Sequence, residues 1–203
     1  MHALLALGAD ASAVTAGGLT TVMQAAMPQG VDGDGEPQAV RLCAALCAAG
    51  ADVNAQRLVG DAPDGCTALM FASEWGRLSL ARVLLAAGAD VRLRRVDSGL
   101  TALFFAAHRG RAGTVAALLQ AGASPDVATP DGITALMTAA GGGAAESAEA
   151  AMEVVGLLLR AGASVGARDW RGRSALDHAM RGRNLATVAL LKRSAQLTRL
   201  PAE

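Results

Sequence analysis

Three cysteines are the residues of this chain best suited to bind a metal or to act as nucleophiles. Cys43 and Cys47 are four residues apart, so a helix would place both thiols on one face, which is half of a zinc site. Two further ligands are missing, and Cys47 aligns with Leu85 in a recurring Leu-Leu position. We therefore predict that this pair packs in the core. We expect Cys66, which precedes a helix cap, to be partly exposed.

Two stretches resemble loops that bind ions. Asp32, Asp34 and Glu36 place three carboxylates in a glycine-rich segment, as calcium loops do, but the distant Glu of an EF-hand is missing. The glycines at 141–143 are not followed by the Gly-Lys-Ser/Thr of a phosphate-binding loop. We interpret both stretches as solvated connections.

The three histidines do not form a catalytic set. His2 is terminal, His108 falls at the exposed end of a predicted helix, and His178 lies inside another. Nothing in the sequence brings a nucleophile, a base and an orienting partner together. We therefore predict no catalytic residue, no cofactor and no metal, which means that the chain is not an enzyme.

The elements that must position these side chains recur about every 33 residues, which is typical of stacked supersecondary units. Each unit begins with a Thr or Ser suited to cap a short Ala-Leu-rich helix. A glycine ends that helix, and a second helix with a Leu-Leu pair stops at Gly-Ala. The predicted caps are Thr20, Thr67, Thr101, Thr134 and Ser174.

The repeated pattern resembles the ankyrin repeat. It reads Gly-x-Thr-Ala-Leu-x-x-Ala-Ala, then Val-x-x-Leu-Leu, and then Ala-Gly-Ala-Asp-Val-Asn-Ala at 49–55. The Thr-Pro-Leu-His of the family appears here as Thr-Ala-Leu, so we expect softer loops where the family's His would tie them together. The resemblance implies an all-α ankyrin-repeat solenoid of stacked helix-turn-helix units joined by hairpin loops.

The cap spacing divides the single domain, 1–203, into units. Extra residues are expected in loops, because a solenoid tolerates them there. The incomplete first unit favours a piece of a longer array over a degenerate cap. We predict a partial repeat at 1–15, repeats at about 16–55, 64–96, 97–128, 130–167 and 169–195, and insertions near 27–36, 56–63 and 141–150.

Composition excludes some classes of partner and location. The 203 residues are 52% hydrophobic with a formal net charge of zero, so no overall field draws nucleic acid or an anionic membrane. No segment has the roughly 18 to 20 apolar residues of a membrane-spanning helix, and no charged leader precedes the apolar start. The odd number of cysteines, at spacings that do not suggest a disulfide framework, favours a reducing compartment. We expect the cytoplasm, with the nucleus left open, and we expect a monomer.

In ankyrin repeats, loop tips and first helices face the partner, so the resemblance implies a concave binding surface here. We expect that the side chains on this surface are not needed for stacking the repeats. Acidic residues in the second repeat and arginines beyond it predict a protein partner with an acidic segment, although the arginines could equally serve solubility. The candidate residues are Asp64, Glu74, Trp75, Arg94, Arg95, His108, Arg109, Arg171, Arg173 and Arg181.

The resemblance implies a scaffold or adaptor without chemistry of its own. The alternatives are a regulatory or targeting array of a larger enzyme, kinase or channel, and a dedicated inhibitor. Leu46, Asp52 and Asn54 resemble the pattern that asparagine hydroxylation of ankyrin repeats requires. We expect the simpler role for Asn54, a hydrogen bond within its own turn.

Overall fold

A computed structural model of the chain describes residues 13–27, 36–60 and 62–197. These residues form ten helices and one two-stranded antiparallel sheet, which confirms the all-α prediction. The elements are α1 (Thr21–Ala26), α2 (Glu36–Ala48), β1 (Leu58–Val59), β2 (Ala62–Pro63), α3 (Ala68–Glu74), α4 (Leu78–Ala86), α5 (Ala102–His108), α6 (Ala112–Gln120), α7 (Ala135–Ala140), α8 (Ala148–Arg160), α9 (Ala175–Arg181) and α10 (Leu185–Leu197).

The first helix of every pair begins at a hydroxyl side chain. The Thr67 hydroxyl accepts a hydrogen bond from the backbone N–H of Met70, and the Ser174 hydroxyl accepts one from Asp177. Such a bond satisfies a backbone donor that the first turn would otherwise leave unpaired. The five predicted caps all accept a bond of this kind: Thr20, Thr67, Thr101, Thr134 and Ser174.

The helices pack as two parallel rows. Each first helix contacts the second helix of its own pair, and helices of the same kind contact each other from one pair to the next. This is the stacking that the repeated sequence predicts, and it makes the molecule a solenoid.

Leucine and alanine fill the space between the rows. Leu69 and Leu136 occupy the same position in two units and are each 1% exposed, while Leu84 and Leu118 in the second helices are fully buried. Burying one such side chain contributes about 1.5 to 3 kcal/mol. Small residues lie between these leucines. The short side chains of Ala and Gly let neighbouring helices approach closely.

Four loops connect the pairs, and a fifth precedes the first pair. The sheet lies in the second loop, with Leu58 opposite Pro63 and Val59 opposite Ala62. The predicted insertion near 27–36, with Asp32 and Asp34, and most of the partial repeat at 1–15 lie outside the described residues. The repeat limits themselves stay a prediction. We name the loops A (13–20), B (49–66), C (87–100), D (121–133) and E (161–173).

Candidate protein-binding surface

Backbone hydrogen bonds join the tips in three pairs of successive loops. Leu58 in loop B donates its N–H to the carbonyl of Gly18 at 3.1 Å. Val96 in loop C donates to Asp64 at 2.9 Å, and Trp170 in loop E donates to Asp131 at 2.9 Å. These bonds fix the tip of loop A against B, of B against C and of D against E, whereas the described residues show no backbone bond between the tips of C and D.

Asp64 and Arg95, two of the predicted contact residues, hold loops B and C together. The Asp64 carboxylate is only 11% exposed and pairs with Arg57 and, at 3.9 Å, with Arg95. It also accepts a hydrogen bond from the N–H of Cys66 at 2.8 Å. The expectation that these side chains are not needed for stacking is wrong, because the carboxylate links residues of two neighbouring loops.

The same correction applies to Glu74, Arg109 and His108. Arg109, which follows α5, donates to the Glu74 carboxylate at the end of α3 at 2.7 Å. His108 is half-buried rather than exposed, and its Nδ1 lies 3.1 Å from the hydroxyl of Thr138 in α7. Burial, assisted by Arg109, lowers the pKa of His108. These three side chains therefore connect consecutive first helices.

Arg173 belongs to a buried cluster around Asp169 in loop E. The Asp169 side chain is fully buried and accepts hydrogen bonds from the backbone N–H groups of Arg171 and Arg173, each at 2.9 Å. Arg173 Nε and His178 Nε2 add bonds at 2.8 and 3.0 Å. Burial alone would raise the pKa of Asp169, but these bonds outweigh it and hold the pKa far below its usual value.

Four predicted contact residues remain exposed and take part in no ion pair within the described residues. Trp75 is 46% exposed at the end of α3. Arg94 makes only a long bond, 3.4 Å, from Nη1 to the carbonyl of Ala128. Arg171 and Arg181 are also exposed. The ten candidates thus divide into six that bond other side chains of the array and four that are exposed and outside its ion pairs.

Sequence reasoning missed two exposed tip residues. Val96 is 71% exposed and Trp170 is 64% exposed, and they occupy the same position in loops C and E. The guanidinium of Arg171 lies over the Trp170 ring, 4.4 Å from its centre. The sequence carries a signal for both. Val96 follows Arg95, and Trp170 follows Asp169, and the backbone N–H of each of these preceding residues bonds a carbonyl further along its own loop.

The cysteines are set up for packing rather than for reaction. Cys43 is fully buried, as predicted, and burial together with Cys47 raises the pKa of its thiol to about 12. The prediction that Cys66 is partly exposed is wrong, since it is 6% exposed. Its N–H binds Asp64 and its carbonyl accepts from Arg57, which turns the thiol inward. Burial then raises the pKa of Cys66 to about 11.

Asn54 bridges two loops instead of bonding its own turn, which corrects that expectation. Its Oδ1 accepts from the N–H of Asp90 at 2.8 Å, and its Nδ2 donates to the carbonyl of Gly88 at 3.2 Å. The turn is closed by Asp52 instead, whose carboxylate accepts from the N–H of Asn54. The amide side chain is thereby left free to reach the next loop.

The described part of the chain contains neither a metal-binding cluster nor a membrane-spanning helix. No group of three or more His, Cys, Asp or Glu residues there is arranged to hold a metal ion. Among residues 13–27, 36–60 and 62–197, no helix has the length and apolar character needed to cross a membrane.

The fold and the bonded loops define a helical-repeat solenoid with an exposed row of loop tips. A family model described as ankyrin repeats, in three copies, matches residues 1–127 and again residues 103–199. The chain belongs to the ankyrin repeat family, as its repeated motif predicts. No curated protein matches the chain in a sequence comparison.

Proposed function

We propose that this chain is a non-catalytic protein–protein interaction module, a scaffold or adaptor that binds its partner along the loop tips and first helices. Ankyrin repeats are generally modules of this kind. One observation carries the proposal: large side chains stand exposed beside a closed core, with Trp75 46%, Trp170 64% and Val96 71% exposed. Exposed apolar side chains next to arginine are typical of binding surfaces.

The partner we propose has an acidic segment. Arg94, Arg171 and Arg181 are exposed and pair with no carboxylate within the described residues, so their charge is available to a ligand. The six bonded candidates have a different proposed role, which is to keep the loops and first helices in position while the partner binds. A preformed surface lowers the entropy lost on association.

The described cysteines and histidines support our proposal that the module has no catalytic activity and works in a reducing compartment. The two buried thiols have raised pKa values, and His108 and His178 are each bonded to a side chain that belongs to the scaffold. The described cysteines are free rather than paired. We therefore propose a cytoplasmic or nuclear location for the module, and its monomeric state stays a prediction.

Affinity capture followed by mass spectrometry tests the proposal. The variant replaces Arg94, Arg171 and Arg181 with Glu, because reversing Arg95 or Arg109 would also break bonds inside the array. We expect this variant to lose the main captured protein. A matched control carries the same charge change on exposed cations of the second helices: Arg82→Glu, Arg160→Glu and Lys192→Glu.

The control variant should keep the partner while the tip variant loses it. Circular dichroism must show that both variants are folded. If both retain the same partner, or both lose it, the proposed surface is wrong.

A further inference from the structure

Loop E is held in one shape by bonds from within. Asp169 fixes its base through the N–H groups of Arg171 and Arg173, and Arg168 Nη1 donates to the carbonyl of Gly172 at 2.7 Å. Trp170 ties the tip to the preceding loop through its backbone N–H. A ligand that meets this loop does not have to order it, so little of the binding free energy is lost to loop entropy.

The tip of this loop presents an aromatic ring and a guanidinium as a unit. Trp170 is 64% exposed, and Arg171 stacks 4.4 Å from the ring centre. A cation–π contact at this distance restrains both side chains without burying either. Trp and Arg are the side chains most enriched among residues that dominate binding energy.

The charges at loop E favour an anionic ligand. Arg168 and Arg171 are exposed, and neither takes part in an ion pair within the described residues. The acidic residue of the tip, Asp169, is buried and paired with Arg173. By contrast, the preceding tip carries an exposed Asp131 and no cation. Among the described tips, loop E alone combines an exposed aromatic ring with unpaired arginines.

Resting on the proposed function, we propose that the tip of loop E (168–173) is the principal anchor of the partner, and that it takes an extended peptide segment in which Asp or Glu flanks an apolar side chain. The apolar side chain covers the exposed part of the Trp170 ring. The neighbouring carboxylate accepts hydrogen bonds from Arg171 or Arg168, where Arg offers a planar pair of donors. A basic segment is disfavoured at the same place.

The probe is a display library of random twelve-residue peptides, selected on the intact chain. We expect the enriched peptides to be rich in Asp and Glu and to share at least one apolar side chain. Fluorescence anisotropy of a synthetic enriched peptide should show affinity lowered at least about tenfold by Trp170→Ala and by Arg171→Ala, as at a binding hot spot. Met152→Ala is the matched control, because Met152 is an exposed apolar side chain of the second helix α8, outside the proposed surface, and this variant should bind within about twofold of the parent.

A charge reversal gives a second, independent readout. The variant Arg171→Glu should enrich Lys-rich and Arg-rich peptides from the same library relative to the parent, and Arg168 is left unchanged because it also bonds the carbonyl of Gly172. Thermal unfolding of Trp170→Ala should match that of the parent protein, because the ring is largely exposed.

Failure of this inference can be told apart from failure of the proposed function. Peptides that depend on Trp75 or Arg94 but not on Trp170 would leave the interaction surface standing and remove loop E as its anchor. Selection of peptides that carry no excess of Asp and Glu, or no selection of any peptide, would overturn the inference. Tight binding of single-stranded oligothymidylate instead, abolished by Trp170→Ala, would show that the occupant is a nucleic acid.

Discussion

Loops B and C are joined much more closely than loops C and D, although the helices beneath them stack in the same way. Between B and C, Asn54 bonds loop C through both ends of its amide, and Val96 donates its backbone N–H to Asp64. Asp64 also pairs with Arg95 across the same junction. Bonds of three kinds therefore connect this pair of loops.

Between C and D, both bridging positions hold residues that cannot bridge. Arg92 stands where Asn54 stands one loop earlier, and it folds back onto Asp90 of its own loop, with Nε 3.0 Å from Oδ1. Pro130 stands where Val96 stands and has no N–H to donate. What remains is the 3.4 Å bond from Arg94 to loop D.

A cavity also lies at this junction, as one does at the junction of loops A and B. The cavity between loops C and D has a volume of about 310 Å³ and is lined mainly by apolar atoms of the two loop bases and of the start of α5. Since α3 packs on α5 as α5 packs on α7, the difference is confined to the loops. Helix packing therefore determines how the repeats stack, whereas a few loop residues determine how many bonds join neighbouring tips.

The largest effect should come from forcing loops B and C apart. Gly65 has φ +81°, and a methyl group placed on it would lie 2.5 Å from the carbonyl oxygen of Arg94 in loop C. Left-handed backbone and a backbone clash together predict that Gly65→Ala lowers the free energy of unfolding by roughly 3 kcal/mol. Urea denaturation measures the loss.

Gly99→Ala is the matched control at the looser junction. Gly99 has φ +65°, but its methyl group would meet only the side chain of Pro130 at 3.0 Å and no backbone atom closer than 3.8 Å. We expect Gly99→Ala to lower the free energy of unfolding by about 1 to 2 kcal/mol, through the backbone conformation alone. Equal losses for the two variants would show that the two junctions are equally close.

We also predict that acid weakens the junction of loops D and E. Asp169 holds the tip that bonds to Asp131, and its pKa in the folded protein lies below the ordinary value of 3.8. The unfolded chain therefore takes up this proton first as the pH falls. The stabilisation by Asp169 is fully present above about pH 4 and is lost progressively below it.

Hydrogen exchange and thermal unfolding at decreasing pH test this prediction. The N–H of Trp170 should lose protection below about pH 4, before the helices unfold. Asp169→Asn should lower the melting temperature at neutral pH and flatten its dependence on pH in the acid range. A control variant, Glu153→Gln, replaces an exposed carboxylate and should do neither. An unchanged acid profile in Asp169→Asn would contradict the role of this carboxylate.

The local features of the fold could be predicted from the sequence, because each depends on residues close together in the chain. The hydroxyl of Thr101 caps α5 through a residue three positions later, and the apolar spacing of Leu103 and Leu118 follows from one helical hairpin. Repetition of that unit then indicated the stack.

The contacts between loops could not be predicted in the same way. Asp64 and Arg95 belong to different units, and extra residues in loop B obscure which positions of successive tips correspond. The position of Cys66 before a helix cap predicts partial exposure, whereas in the structure its N–H donates to Asp64 and the residue is buried. Position in the repeat and charge predict these residues, and neither distinguishes a bonded carboxylate from a free one.

A smaller effect is expected from removing the bridge between loops B and C. Asn54→Ala loses both amide bonds and leaves the N–H of Asp90 without its acceptor, which predicts a loss of about 1 to 2 kcal/mol. Arg92→Ala is the matched control in loop C, where the side chain is 83% exposed and bonds only its own loop. Urea denaturation should show no measurable change for Arg92→Ala, and a loss equal to that of Asn54→Ala would contradict the comparison.

The smallest expected effect is a gain, from building the missing bridge between loops C and D. Arg92→Asn restores the amide at the bridging position, where its oxygen could accept from the N–H of Ser124, the counterpart of Asp90. Asp126 already makes such a bond one loop later, to the N–H of Ser164 at 2.7 Å. We expect slower hydrogen exchange at Ser124 by a few fold, with exchange at Asp90 unchanged. The gain stays small because Pro130 still provides no bond at the tip. Unchanged exchange at Ser124 in a folded Arg92→Asn variant would mean that the loop spacing, and not residue 92, keeps this junction open.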